Sequence, residues 1–364
     1  MRIAMIGQKG IPATWGGVER HVEELSARLA ARGHEVVVYT RPSYTDRSLL
    51  EHRGVRLRSL PTIGTKHLEA IVHCALSTLD SWGGRFDIVH YHAIGPTLTA
   101  PLARLRGFGV VATVHGRDWK REKWGLVGRS ALRLGEWTAT HVPHATISVS
   151  ESLAEEYARE GHRVDFIPNG VSIPEGQDTS ILDELGLKDE PYVLFAGRIV
   201  PEKGSHYLID AWQRIGRPVK LVIAGDTSYS DDYVARVRSA AEDGVIFPGF
   251  VFGERLAALF RNATLFVLPS DLEGYPIVLL EALAFGAPVL ASDIPPNVEI
   301  LGRDGRFFSA GDTGDLAERL TACLEHAEEF KRAADAARHD AITAHDWDLV
   351  TERTLVVYEK VLRR

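Results

Sequence analysis

The chain has 364 residues, 45% hydrophobic and 25% charged, with a net charge of −7; at about 150 residues per domain this predicts two globular domains and excludes disordered or fibrous classes. Its two cysteines, Cys74 and Cys323, lie far apart outside any CxxC pattern, so neither a disulfide framework nor a zinc ribbon is expected. The first apolar run breaks at Gly7, too early for a signal peptide, and no stretch reaches the roughly 20 apolar residues of a membrane span, so a cytoplasmic protein is expected.

Strand-like and helical runs alternate through the first half. RIAMIG (2–7) is an apolar run ending in glycine, as a buried parallel strand would be. In residues 18–33, Val18, Val22, Leu25 and Leu29 recur at three and four positions, giving one apolar helix face that Gly33 ends. Further strands are predicted over 35–40, 55–61, 86–92, 110–116 and 145–150, with a long helix near 66–82. Residues 171–190 are polar, contain Pro and Gly, and read as a linker. The pattern then restarts, with strands over 192–198, 219–225, 244–250, 263–270 and 287–293. Residues 347–364 read as an amphipathic helix that caps the second domain or crosses back to the first. The predicted fold class is α/β, with two Rossmann-like domains, residues 1–172 and 173–346, facing each other across a cleft.

The net charge divides unevenly. Residues 1–174 hold 22 Lys and Arg against 17 Asp and Glu, and residues 175–364 hold 20 against 32, balances of +5 and −12. The basic half is the one expected to meet an anionic surface.

Ligands of open α/β sheets bind beyond the carboxyl ends of strands, so the loops there carry the candidate chemistry. The loop GQKGIPATWGGVE (7–19) lacks GxGxxG, but Gly16 and Gly17 directly precede a helix whose free N–H groups favour an anion; Trp15 beside them is read as exposed. In FAGRIVPEKG (195–204), Arg198 and Lys203 straddle a Pro–Glu kink and together could share a diphosphate. In PSDLEGYPIVLLEALAFGAPVLASD (269–293), Pro276 is placed at the first position of a helix whose amides, around Ile277 to Leu279, suit a phosphate. Glu273 precedes that helix and Glu281 lies inside it among leucines, where a carboxylate is costly unless hydroxyl donors satisfy it.

The string E-G-Y-P-I-V-L-L-E resembles the Glu-x7-Glu motif of retaining GT-B glycosyltransferases, of the family 4-like kind, that use nucleotide sugars. GGVERHVEELSARLAARGHEV, TVHGRDW, SVSESLAEEY, IPNGV and FAGRIVPEKG extend the likeness over nearly the whole chain, in order. GQKGIPATWGGVE with HGRDWKREKW is similar to a bacterial branch of rhamnosyl- and glucosyltransferases acting on lipid-linked saccharides of the cell envelope. The resemblance implies transfer of a hexose or deoxyhexose from a nucleotide-diphosphate sugar to a saccharide or polyprenyl-diphosphate-linked acceptor, with retention and without a metal or other cofactor. Arg198 and Lys203 would neutralise the donor diphosphate, Glu281 would hold ribose hydroxyls, and Glu273 would hold hydroxyls of the transferred sugar. Gly274, Tyr275 and Ile277 would touch the phosphates or sugar, and the nucleobase would lie against Pro248, Gly249, Phe250 and Val251. Gly16 and Gly17 would line the donor phosphate or acceptor side, His115 would face the sugar from the first domain, and Asn169 would be a hinge-side structural residue. Arg117 in HGRDW departs from relatives, which often carry an apolar or smaller residue there, and this bears on the acceptor.

Other sites are weaker. Asp346-Trp347-Asp348, the one DxD string, precedes the last helix, where Asp is an ordinary cap. His90 with His92, and His141 with His144, have no Cys or acid at ligand spacing, so zinc is not expected. Residues 117–137 hold Arg117, Lys120, Arg121, Lys123, Arg129 and Arg133 among Trp119, Trp124 and Trp137, the composition of an interfacial segment on an anionic membrane, or else of a solvated helix or acceptor loop. Nucleic acid is not an expected partner. An epimerase or hydrolase of the same fold would need further cleft acids or histidines, and a non-catalytic sugar-nucleotide binder is the alternative of another class.

Overall fold

The computed structural model describes residues 1–14, 16–63, 69–121, 124–174, 176–226, 231–241 and 243–364, with Asp231 described by its backbone alone. Trp15, Lys123 and the start of the helix expected from residue 66 lie outside them. The chain divides into two compact units, Met1–Gly170 with Trp347–Arg364, and Val171–Asp346.

The first unit runs β1 (Arg2–Ile6), α1 (Gly17–Ala31), β2 (Glu35–Thr40), β3 (Glu51–His52), β4 (Val55–Ser59), α2 (Glu69–Ser81), β5 (Ile88–His92), α3 (Ala100–Leu105), β6 (Gly109–Val114), α4 (Leu126–His141), β7 (Ala145–Ser148), α5 (Glu151–Arg159) and β8 (Asp165–Phe166). Among the described residues its sheet is ordered β3-β4-β2-β1-β5-β6-β7-β8, parallel except for the β3–β4 pair. Strands β1, β2, β5 and β6 are buried over nearly their whole length. A strand covered on both faces has no polar side, which is why these segments read as continuous apolar runs. The C-terminal helix (Trp347–Leu362) belongs to this unit: Trp347 and Tyr358 are buried, and Arg32 Nη2 reaches Asp348 Oδ1 at 2.8 Å. Asp348 of the DxD string therefore serves an intra-unit ion pair.

The second unit runs α6 (Ser180–Glu184), β9 (Tyr192–Ala196), α7 (Ser205–Arg214), β10 (Lys220–Ala224), α8 (Asp231–Ala240), β11 (Val245–Gly249), α9 (Gly253–Asn262), β12 (Leu265–Leu268), α10 (Ile277–Ala284), β13 (Val289–Ser292), α11 (Pro295–Leu301), β14 (Phe307–Phe308), α12 (Thr313–Glu325) and α13 (Ala327–Ala344). Its sheet, ordered β11-β10-β9-β12-β13-β14, is parallel throughout the described residues. Side chains alternate between two cores. Tyr192, Leu194 and Ala196 of β9 join one core with residues of α6, α9 and α10, while Val193 and Phe195 join the other with residues of α7, α8 and α12.

Several details differ from expectation. Within the expected linker, α6 places Ile181 and Leu182 in the second unit's core. Val171 pairs with Asp346 and its N–H donates to the His345 carbonyl (2.8 Å), which ties it to the second unit two residues before the expected division. β3, β8 and β14 have two residues each, too few for any periodicity to declare them.

Candidate active site

All strands of a parallel ladder end on one edge, and the loops beyond that edge are where ligands bind. In the second unit residues 197–204 follow β9, 250–252 follow β11 and 269–276 follow β12. β9 and β12 are neighbours, so the first and third loops meet. They touch at Gly204, which is left-handed (φ 68°); a Cβ there would stand 1.9 Å from the Pro269 carbonyl oxygen. Only glycine permits that approach. Asp271 N–H also donates to the Glu202 carbonyl oxygen (3.0 Å), zipping the two loops. Lys203 Nζ consequently donates to Glu273 Oε1, across 70 residues of sequence.

Glu273 is held from behind as well. Its side chain is 6% exposed, and Oε1 accepts from Ser270 Oγ at 2.7 Å. Ser292 Oγ donates to the Ser270 carbonyl (2.6 Å), and Asn297 Nδ2 donates to both Ser292 Oγ and the Ser292 carbonyl (3.0 Å each). A buried carboxylate gripped in this way keeps one orientation. Ser270, Ser292 and Asn297 were not singled out from sequence; the serines closing LPS and LAS at two adjacent strand ends were the available signal.

The helix after this loop is one residue shorter than expected. Pro276 is its N-cap (φ −71°, ψ 110°) and not its first helical residue. Leu279 N–H closes on the Pro276 carbonyl (3.0 Å), so the anion-seeking amides are those of Ile277 and Val278, which have no backbone acceptor among the described residues. Gly274 lies in the loop, and Glu281 is half-buried inside α10 between buried Leu280 and Ala282. Arg198 is half-buried in the loop after β9. The Tyr275 ring is buried, 5.9 Å from that of His345, so its backbone is what it can offer a ligand. At the end of β11, Gly249 is left-handed (φ 75°), Phe250 stacks on Phe252 (5.8 Å) and Val251 packs on the core, an apolar wall.

In the first unit Gly16 is the N-cap of α1 and Gly17 its first residue. The helix's own carboxylates hold the preceding loop: Glu19 accepts from Lys9 N–H (3.0 Å) and Glu23 from Ala13 N–H (2.8 Å). A negative charge thus already stands beside the turn expected to attract an anion.

His115 follows β6 and joins a histidine cluster with His21 of α1 and His90 and His92 of β5. His21 Nδ1 lies 2.8 Å from Asn169 Oδ1, which makes Asn169 an anchor for that ring. His90 is bonded to Tyr358 Oη and Thr113 Oγ1 (2.7 Å each). Burial pushes His21 down to about 4 and His90 to about 3, and holds His92 and His115 well below the ordinary histidine value, with mutual repulsion adding to it in the last three. All four rings are neutral at pH 7. His21 was missed because its neighbours come from strands far along the chain; His141 and His144 do not join the cluster.

Arg117 does not present itself to an acceptor. It is 13% exposed and pairs with Glu136 (2.9 Å), Glu156 (3.3 Å) and Glu160 (2.6 Å), fastening its segment to α4 and α5. Beyond it, α4 exposes Leu126 (83%), Val127 (86%), Leu134 and Trp137 together with Arg129 and Arg133.

Residues 15–174 match the family described as "Glycosyltransferase Family 4" and residues 177–340 that described as "Glycosyl transferases group 1". The phosphatidyl-myo-inositol mannosyltransferase of Mycobacterium leprae is 30% identical over 381 residues, covering 99% of this chain and 97% of the relative. The chain belongs to the glycosyltransferases. This glycosyltransferase is also 29% identical over 397 residues to the alpha-maltose-1-phosphate synthase of Mycolicibacterium smegmatis, covering 99% of this chain and all of the relative. Its fold matches that of Anabaena HepE in complex with UDP-glucose with a TM-score of 0.83 at 20% identity, over 99% of this chain and all of the other. The fold is GT-B, and the comparisons favour glycosyl transfer over the epimerase, hydrolase and non-catalytic readings.

The histidine cluster is expected to make this glycosyltransferase less stable in acid. Unfolded, these rings titrate near 6.5; folded, His21 stays neutral down to about 4. Between those values the unfolded chain binds more protons, so stability rises with pH there and is lost as pH falls. The urea midpoint of the transition that unfolds the first unit is expected to drop between pH 7 and pH 5, and to drop less in His90→Asn. A midpoint independent of pH over that range would contradict neutral burial of the cluster.

Proposed function

We propose that the chain moves a hexose or deoxyhexose, with retention and without a metal, from a nucleotide-diphosphate sugar to a saccharide or lipid-linked acceptor. The observation that carries this reading is the contact between Lys203 and Glu273. A sugar nucleotide joins a dianionic diphosphate directly to a neutral polyol, and a cation side by side with a carboxylate matches both parts: Lys203 takes the phosphates and Glu273 accepts from sugar hydroxyls. Arg198 and the amides of Ile277 and Val278 add to the phosphate side, with Gly274 and the Tyr275 backbone between. Glu281 holds the ribose, and the base lies on Gly249, Phe250 and Val251. The complex of HepE with UDP-glucose supports a donor of this class.

As the bond to the anomeric carbon breaks, positive charge grows on the sugar and negative charge on the departing diphosphate. Lys203, Arg198 and the first turn of α10 stabilise that leaving group. The acceptor attacks on the leaving group's own face and a phosphate oxygen takes its proton, so no separate protein base is required. His115, neutral, contributes a hydrogen bond to the sugar, and Gly16 and Gly17 line the phosphate or acceptor side.

Among the described residues no helix is long and apolar enough to cross a membrane. We place the protein in the cytoplasm, with the exposed apolar and basic residues of α4 resting on the anionic inner face of the plasma membrane, where a polyprenyl-diphosphate acceptor is collected. The relative named phosphatidyl-myo-inositol mannosyltransferase supports a lipid-borne acceptor.

Lys203→Ala and Glu273→Ala are each expected to lower turnover of the sugar donor by about 10²-fold or more; near-normal turnover in both would sink the assignment. Sedimentation with liposomes is expected to rise with anionic lipid content and to fall in a Leu126→Ser, Arg129→Ser, Arg133→Ser variant. Binding indifferent to lipid charge would count against the membrane contact.

A further inference from the structure

We propose that His21, His92 and His115 form a zinc site in the first unit, sharing with the proposed donor site only His115. Each ring comes from a different element: α1, β5 and the residue after β6. One nitrogen from each lies within 4.8 Å of the others. The ring centroids stand 5.5 Å (His21–His92), 4.8 Å (His21–His115) and 5.6 Å (His92–His115) apart. Tetrahedral zinc with bonds of about 2.0–2.1 Å requires donor nitrogens about 3.3 Å apart and imidazole centroids about 5.2 Å apart. The ring centroids already stand near the separation of a three-histidine site, and zinc would draw the nitrogens inward from within 4.8 Å of one another.

His21 is prepared as a ligand. Its Nδ1 faces Asn169 Oδ1, an acceptor, which puts the ring proton on Nδ1 and the lone pair on Nε2. That Nε2 is buried and has no hydrogen-bond partner among the described residues. A buried polar atom left unpaired is costly, and a metal ion is one group that satisfies a bare lone pair. His92 Nδ1 and His115 Nε2 are 3.3 Å apart, a contact that zinc replaces with two bonds. Behind them His90 has both nitrogens engaged and acts as packing, its ring 4.2 Å from that of His92. Met5 Sδ, 3.5 Å from His92 Nε2, adds a soft neighbour. The ligand set is all nitrogen with no carboxylate, which suits zinc and disfavours magnesium or calcium. His115 keeps part of its surface open, leaving a fourth position for water.

Zinc here would be an inhibitor, since it draws His115 away from the sugar. That consequence rests on the role proposed for His115 above; the site itself does not.

Isothermal titration of chelator-treated full-length protein with zinc chloride is expected to show one site per chain. Affinity should fall at least about tenfold in His21→Gln and His92→Gln, and in Asn169→Ala, which keeps all three ligands but loses the anchor. His141→Gln, a surface control, should bind as the parent does. Zinc should also raise the parent's urea midpoint by mass action and leave that of His92→Gln unchanged, a comparison that first confirms the variant is folded. No saturable zinc binding by the parent, or equal affinity in parent and all three cluster variants, would overturn the site. Zinc binding with donor turnover unaffected would support the site and remove the His115 role instead.

Discussion

The close approach of Gly204 to the Pro269 carbonyl oxygen joins the loops that follow β9 and β12. The pairing of Lys203 with Glu273 proposed for the donor depends on that junction. It sets Lys203 against Glu273, and the layers of Ser270, Ser292 and Asn297 then hold the carboxylate from the far side. Any side chain at position 204 would drive the loops apart, separating the cation meant for phosphate from the acceptor meant for sugar. The parallel ladder supplies the other half of the constraint, because it brings all its loops to one edge.

Charge shows how local such a site is. The half of the chain that carries the residues proposed for the donor has a balance of −12, an unfavourable mean field for a diphosphate. In the proposed site two cations and a helix start would act against it at short range, where Coulomb attraction is strong and bulk charge is screened. In the first unit the relation is reversed. There the net charge is positive, yet Glu19 and Glu23 spend their carboxylates on the loop before α1, and four histidines are buried uncharged.

The architecture was legible because buried parallel strands such as RIAMI and YVLFA carry apolar residues on both faces, and glycines mark their ends. The residues proposed for the donor were nameable from sequence because each motif is a short, local run. What escaped the sequence is what only tertiary contact creates. His21 and Asn169 lie 148 residues apart, and Ser270 and Ser292 meet because β12 pairs with β13. Arg117 reads in sequence as bearing on the acceptor or as part of an interfacial or solvated basic segment, since nothing in HGRDW announces Glu136, Glu156 and Glu160, which surround it. The polar 171–190 segment read as a linker, since α6 buries only its Ile181 and Leu182.

The central claim, a sugar-nucleotide site built on Lys203 and Glu273, is tested most directly by donor binding. Thermal unfolding of the chain with UDP-, GDP-, ADP- and dTDP-sugars should show one of them raising the melting temperature by mass action, with the shift lost in Lys203→Ala. No shift from any of the four, or an equal shift in the variant, would contradict the account.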